Sequence, residues 1–150
     1  MKLGLDSNIL VYAHIPALEA HGRVHRFLLE RLRTPDLVFV LTPSILHEFV
    51  HIITDSRRFE TPVAMTEASA LARLYLGKSN VECVETDETA MVLALEWMDR
   101  YGLGRKRLAD TIFAATLIRH GVRQIITCNR RDYQIFDELE VVDPCASSQG

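Results

Sequence analysis

The chain has 150 residues, 48% hydrophobic and 25% charged, with a formal net charge of −3 at pH 7. That length fits one domain with a real core, the balance is ordinary for a soluble globular protein, and no apolar run nears the roughly 20 residues of a membrane-spanning helix. Mild acidity speaks against a protein that coats nucleic acid by bulk charge, but acids packed into a metal site would count toward the total and leave a nuclease open.

We expect a single domain over residues 1–144 and a frayed small, polar tail over 145–150. Asp6 interrupts the N-terminus too early for a secretory signal, whose apolar region needs about 7–15 residues, so a cytoplasmic location is expected. Three unpatterned cysteines, Cys83, Cys128 and Cys145, are expected as reduced thiols. The basic residues are 14 Arg and 3 Lys, which favours planar, bidentate phosphate contacts over diffuse charge.

Leu3-Gly4-Leu5 reads as a first short strand ending at Asp6-Ser7-Asn8. Asp6 suits an Asx-turn or a helix N-cap, and equally a metal ligand at a strand end, with Asn8 placed to orient its carboxylate. A helix over 17–33 and a strand over 37–41 follow. Thr42-Pro43 is a helix start, a capping hydroxyl with proline at the first helical position. In the helix it opens, over 43–56, Ile45, Phe49, Ile52 and Ile53 share one apolar face, and His47 and His51 lie roughly opposite. Glu48 falls at the border, where a partly desolvated carboxylate wants a cation or donors; a snorkelling glutamate is the plain alternative.

The same helix spells His47-Glu48-Phe49-Val50-His51, the HExxH string of zinc peptidases. No His-x-x-Gly-x-x-His extension follows, and only Glu60 or Glu67 could supply a third ligand. Two solvent-facing histidines are the better account.

Helices over 64–77 and 87–101 flank a strand at 81–84, with Gly77 and Gly102 at their ends. Arg105, Lys106 and Arg107 form a basic loop leading to Asp110 at the start of an Ala-rich, nearly all-apolar helix over 110–120. Asp110 there is a dipole-favoured N-terminal acid, or a metal ligand beside cations that grip a phosphate. Gly121 closes this helix, and a strand over 124–127 runs into Thr127-Cys128-Asn129-Arg130-Arg131-Asp132-Tyr133. Thr127 could bond a carboxylate or a metal-bound water, Asn129 and Asp132 could join the site or serve the turn, and Arg130 could hold a backbone phosphate. A short strand at 141–142 comes last. Tyr101, Tyr133 and Phe136 would stack on bases or pack the core.

Strands alternating with helices predict an α/β fold, a parallel sheet covered on both faces. Ligands in such sheets bind beyond the carboxyl ends of the strands, and right-handed crossovers can bring Asp6, Glu48, Asp110 and Asn129 to that edge. Oxygen ligands of this kind point to Mg²⁺ or Mn²⁺.

Taken in order and spacing, four segments make the chain resemble PIN-domain ribonucleases, especially VapC-type toxins of bacterial toxin–antitoxin pairs, over roughly residues 2–144. They are Leu5-Asp6-Ser7-Asn8-Ile9-Leu10, His47-Glu48-Phe49-Val50 with Ile52-Ile53-Thr54 and Arg57, Leu108-Ala109-Asp110-Thr111 through Thr116, and Ile126-Thr127 through Tyr133. The resemblance implies a three-layer α/β/α fold and metal-dependent endonuclease activity on RNA. It also implies Asp6, Glu48 and Asp110 as acidic ligands, an antitoxin partner and a homodimer. Asn129 departs from the pattern: many family members carry aspartate there, while others carry asparagine with a downstream acid matching Asp132. A neutral Asn129 would weaken a second metal site, which keeps a PIN-like binding module without turnover as the alternative to an enzyme.

Overall fold

The computed structural model describes residues 1–146; positions 147–150 of the expected tail lie outside the described residues. Five strands alternate with helices: β1 (Lys2–Leu5), β2 (Val38–Leu41), β3 (Val81–Cys83), β4 (Gln124–Ile126) and β5 (Glu140–Val142). Between them run α1 (Ser7–His14), α2 (His21–Arg31), α3 (Pro43–Ile53), α4 (Met65–Gly77), α5 (Glu88–Arg100), α6 (Leu108–Arg119) and the short α7 (Arg130–Tyr133), with a 3₁₀ turn at Arg105–Arg107.

All pairings are parallel and the spatial order is β3-β2-β1-β4-β5. The chain winds outward from β1 to β3, then returns across the sheet to β4. Right-handed crossovers in opposite directions put their helices on opposite faces. Hence α1 packs with α2 and α3, and α3 with α4, while α5 and α6 pair with each other. This is the α/β/α layering that the strand–helix alternation predicts. The direction reverses between β1 and β4, the crevice where open parallel sheets bind ligands.

Boundary chemistry is visible at the helix ends. Thr42 caps α3 by accepting from the Ile45 N–H at 3.3 Å, and Asp87 caps α5 through Ala90 at 2.7 Å. At the end of α6, Gly121 adopts φ 73°; its N–H reaches Ile118 O at 3.0 Å and Val122 N–H reaches Leu117 O at 2.9 Å. That is a Schellman stop, which needs a left-handed residue. Gly4 serves a different purpose, since a Cβ there would collide with the Leu117 side chain. Its absence lets α6, lined by buried Ala114, Ala115 and Leu117, press onto the middle of the sheet.

Two boundaries differ from expectation. Residues 7–14, an apolar run with no evident helical signal, form α1, because Asp6 caps it and its Ile9, Leu10 and Val11 all find buried partners. The helix expected from 17 begins at His21; after Pro16 the chain instead makes tight turns, with Leu18 N–H bonded to Ile15 O and His21 N–H to Leu18 O, both at 3.1 Å. No helix among the described residues is long and apolar enough to cross a membrane.

Candidate active site

The end of β1 supplies a buried carboxylate held by three hydrogen bonds. Asp6 Oδ1 accepts from the Ser7 N–H at 2.8 Å, which starts α1. Its Oδ2 accepts from the Thr127 hydroxyl at 2.7 Å and from Asn8 Nδ2 at 3.2 Å. The cap and the site are therefore the same residue. Thr127, fully buried where β4 ends, accepts in turn from Asn8 Nδ2 at 3.3 Å and from the Asn129 N–H at 3.0 Å. Asn8 Oδ1 takes the Cys128 N–H at 3.2 Å. This network ties the first turn of α1 to the loop after β4 and aims one carboxylate into the crevice between them.

Glu48 arrives from the solvent side of α3 and Asp110 from the first turn of α6. Together with Asp6, Ser7, Asn8 and Asn129 they line a cavity of about 490 Å³. Asp110 is not the N-cap; it is the third residue of α6, and its Oδ1 accepts from the Tyr133 hydroxyl at 3.1 Å. Tyr133, wholly buried, takes the core-packing role, one of the two expected for it; only its aim at Asp110 in three dimensions discloses its place beside the acids.

The electrostatics follow from burial and crowding. Burial pushes the Asp6 carboxyl up to about 6 against the pull of Thr127 and Ser7, with the Glu48 charge adding to the rise. Burial, then the charges of Asp6 and Asp132, push Asp110 up to about 7. Burial beside these acids also raises the Tyr133 phenol well above its usual value. Among the described residues no cation pairs with Asp6, Glu48 or Asp110. Repelling carboxylates, all oxygen donors and without a counter-charge, fit a hard divalent cation. Among the described residues Asp6, Glu48 and Asp110 do not bring three ligand atoms within 4.8 Å of one another; the group that does is Cys128, Asp143 and Cys145, whose two sulfurs are joined to each other.

Other expected residues go elsewhere. Arg107 is a strut: its Nη2 donates to Asp132 O at 2.6 Å, and its Nε lies 3.5 Å from Asp132 Oδ1, so it binds the 3₁₀ turn to α7 and is not free for RNA. Asp132 pairs with Arg107 and does not line that cavity, but it is close enough to Asp110 for its charge and hydrogen bond to push that carboxyl up. Arg105 and Lys106 are exposed beside it, and Arg130, also exposed, lies 4.0 Å from Asp143 Oδ2. Phe136 is buried, stacked on Trp97 at 4.8 Å, so neither it nor Tyr133 offers a face to a base. His47 and His51 are exposed neighbours, 5.9 Å apart, in no three-residue ligand group among the described residues.

The cysteines are the other correction. Cys128 and Cys145 form a disulfide with Cα atoms 5.4 Å apart, and Cys83 alone is a free thiol. The reason is register: Ile126 stands opposite Val142, so β4 and β5 leave the sheet side by side and carry the two cysteines together. The sequence separation of 17 says nothing of this. Cys145, expected in a frayed tail, is instead anchored, with its N–H on Asp143 Oδ1 at 2.8 Å.

The PIN domain profile matches residues 4–140. The chain belongs to the PIN-domain family. Among characterised relatives, Ribonuclease VapC24 of Mycobacterium tuberculosis is 26% identical over 147 residues, 97% of this PIN domain and 98% of that protein. VapC ribonuclease Mb2897 of Mycobacterium bovis is 39% identical over 66 residues, a match that spans 44% of each chain. Among solved structures, VapBC-1 of nontypeable Haemophilus influenzae aligns with a TM-score of 0.68 at 17% identity, covering 97% of this chain and 100% of that one. Mycobacterium tuberculosis VapC20, described as a Sarcin-Ricin loop cleaving toxin, gives 0.63 at 16% identity over 82% and 86%. At such identities these two show the shared fold.

Proposed function

We propose that this PIN domain is a metal-dependent endoribonuclease that hydrolyses RNA phosphodiesters as the toxin of a toxin–antitoxin pair. The observation that carries this reading is the convergence of Asp6, Glu48 and Asp110, from three separate elements, on one cavity where, among the described residues, no cation pairs with them. The relatives named VapC ribonucleases and the VapBC complexes among the structural neighbours support the same reading and an antitoxin partner. We carry the homodimer forward from the resemblance.

Asp6, Glu48 and Asp110 would hold Mg²⁺ or Mn²⁺, with Asn129 completing the set as a neutral oxygen donor. Such an ion lowers the pKa of bound water and offsets charge developing on the phosphoryl oxygens. Thr127 and Asn8 fix the direction of the Asp6 carboxylate, so no reorganisation is required when the ion arrives. One of the carboxylates takes the proton of the attacking water. Tyr133 holds Asp110 by its outer oxygen. Arg105 and Lys106, both exposed, and Arg130, loosely paired with Asp143, would meet the RNA backbone.

The test is incubation of the purified protein with structured and unstructured RNAs in Mg²⁺, Mn²⁺ or EDTA, beside an Asp6→Ala control. Cutting that needs the metal and disappears in the control is the expected result. A folded protein that cuts none of these RNAs and binds no Mn²⁺ would instead be a PIN-like binding module, the role a neutral Asn129 favours.

A further inference from the structure

The loop on one side of the acid cavity is also the loop that carries the disulfide. Cys128 lies between Thr127, whose hydroxyl holds Asp6, and Asn129, which lines the cavity. Thr127 is wholly buried and its own N–H bonds Val142 O at 3.1 Å, so the sheet holds it without the sulfur. Asn129 is exposed and tied back by its N–H on Thr127 Oγ1 at 3.0 Å. Beside it the Cys128 N–H bonds Asn8 Oδ1 at 3.2 Å, and the Cys128 sulfur bonds Cys145. Cys145 sits on a fixed strap. Asp143 Oδ1 accepts the Cys145 and Ala146 N–H groups at 2.8 and 3.2 Å, and Arg23 Nη1, from α2, donates to Cys145 O at 3.2 Å. The disulfide thus anchors the Asn129 side of the loop to a segment held from two directions.

The same sulfur is reachable. Cys128 and Cys145 are half-buried, and Cys128 lines a cleft of about 490 Å³ with Asn129 and the exposed Arg130 and Arg131. That cleft and the acid cavity have Asn129 as a common wall. A partly exposed sulfur beside cations favours thiol exchange, because an attacking thiolate is drawn in. In the cytoplasm expected from the sequence, disulfides are transient and redox-sensing rather than structural.

We propose that the Cys128–Cys145 disulfide is an exchange site for anionic low-molecular-weight thiols, and that opening it loosens Asn129 and weakens the hold of the acid cavity on its metal. The proposal rests on the nuclease reading above and adds to it a redox control. The exchange balances with two molecules of thiol. The thiolate of the first attacks the Cys128 sulfur, and the S–S electron pair leaves with Cys145, which takes up a proton. The thiolate of the second attacks the external sulfur of that mixed disulfide. Cys128 leaves as a thiol, and the two external thiols are oxidised to their disulfide. The fold survives, because β4 and β5 stay paired at Ile125 with Val141 and Ile126 with Val142, and Asp143 keeps its two N–H donors. Asp6 keeps its three donors as well, so the change falls on Asn129.

The experiment compares the oxidised protein with the same protein reduced by a phosphine that is then removed. Thiol counting is expected to find one free thiol, Cys83, before reduction and three after it. Hydrogen exchange at the Cys128 and Asn129 amides should quicken about fivefold or more on reduction, while exchange along β1 holds. The Mn²⁺ dissociation constant should rise about tenfold, the low end of the range for a ligand that loses its support. Cys145→Ser is expected to match reduced wild type under both conditions, and Cys83→Ser to respond as wild type does. Reduced wild type carries no substitution, so a variant that fails to fold does not decide the outcome. A sulfonated thiol should open the bond faster than a neutral thiol of equal acidity at low salt, and lose that lead at high salt. Three free thiols before reduction, or equal Mn²⁺ affinity in the two states with metal-dependent cutting intact, overturn the redox control and leave the nuclease reading in place. Equal opening rates for the two thiols at low salt overturn the anionic class. Absence of Mn²⁺ binding in both states removes the nuclease reading and the control with it.

Discussion

The β1–α1 corner and the outer face of α3 deliver a carboxylate to the same cavity by opposite means. Asp6 is 3% exposed and its two oxygens accept three hydrogen bonds, so its direction is set before any ligand arrives. Glu48 is exposed on a helix surface and no ion pair among the described residues restrains it. A buried acid is costly while it is charged and unpaired, and that cost is relieved when a cation binds; an exposed one costs nothing and is free to adapt. One site thus combines a fixed donor with a movable one.

Substitution at the two acids is the sharpest way to break this comparison. Asp6→Ala should lower RNA cleavage roughly a thousandfold or more, the scale of losing several kcal/mol of charge stabilisation, while circular dichroism stays native. Glu48→Gln should lose activity on a similar scale but keep its melting free energy within about 0.5 kcal/mol, as surface changes do. Wild-type turnover in Glu48→Gln would remove α3 from the metal site.

Next in size is the support of Asp6. Thr127→Val takes away the donor at 2.7 Å and the acceptor of two further bonds. Mn²⁺ affinity, read by titration, should drop about 10- to 100-fold and stability by about 1–3 kcal/mol. Among the described residues no ion pair holds Glu48 whose loss would act this way.

The pH dependence reports on the buried side of the cavity, Asp6 and Asp110. With Asp6 near 6 and Asp110 near 7 in the folded state against 3.8 unfolded, the native protein holds more protons than the unfolded chain from about pH 4 to 7. Stability from these groups is therefore highest below that window, falls as pH rises through it and is level above. A shift of about two units on Asp6 corresponds to at most about 3 kcal/mol. Burial of His14 lowers its pKa and acts in the opposite sense, so the informative quantity is the difference between wild type and Asp6→Asn. Melts at pH 5 and 8 without metal should show a smaller fall for Asp6→Asn, and Mg²⁺ should reduce the fall in wild type. Identical pH profiles for the two proteins would mean that Asp6 is not held at a cost.

The smallest effects belong to the basic loop. Arg107→Ala should lower the melting temperature without changing the salt dependence of RNA binding, because it holds α7. Arg105→Ala or Lys106→Ala should leave the melt alone and flatten the slope of log K against log salt by about 0.7 per lost contact on a single strand. The reverse pattern would return Arg107 to the RNA.

The elements and the acids were legible in the sequence because their signals are local. Alternating apolar strands and amphipathic helices repeat on their own period, Thr42-Pro43 and Gly121 punctuate them, and an acid at a strand end or on the border of an apolar helix face stands out against its neighbours. Helix α1 was missed because its eight residues are apolar on most sides, leaving burial rather than periodicity to hold it. Arg105, Lys106 and Arg107 read alike as a run, yet one of them turns inward to α7 once the chain is folded.

Residue identity and order were enough to determine the parallel α/β architecture and to single out Asp6, Glu48 and Asp110, the acids that the fold gathers on one cavity, since each signal depends on a residue's near neighbours. The tertiary structure alone decided that Thr127 and Asn8 fix Asp6, that Tyr133 holds Asp110 and that Cys128 meets Cys145. Those pairings join positions as much as 121 residues apart, and what brings them together is strand order and register, which no local run of side chains encodes.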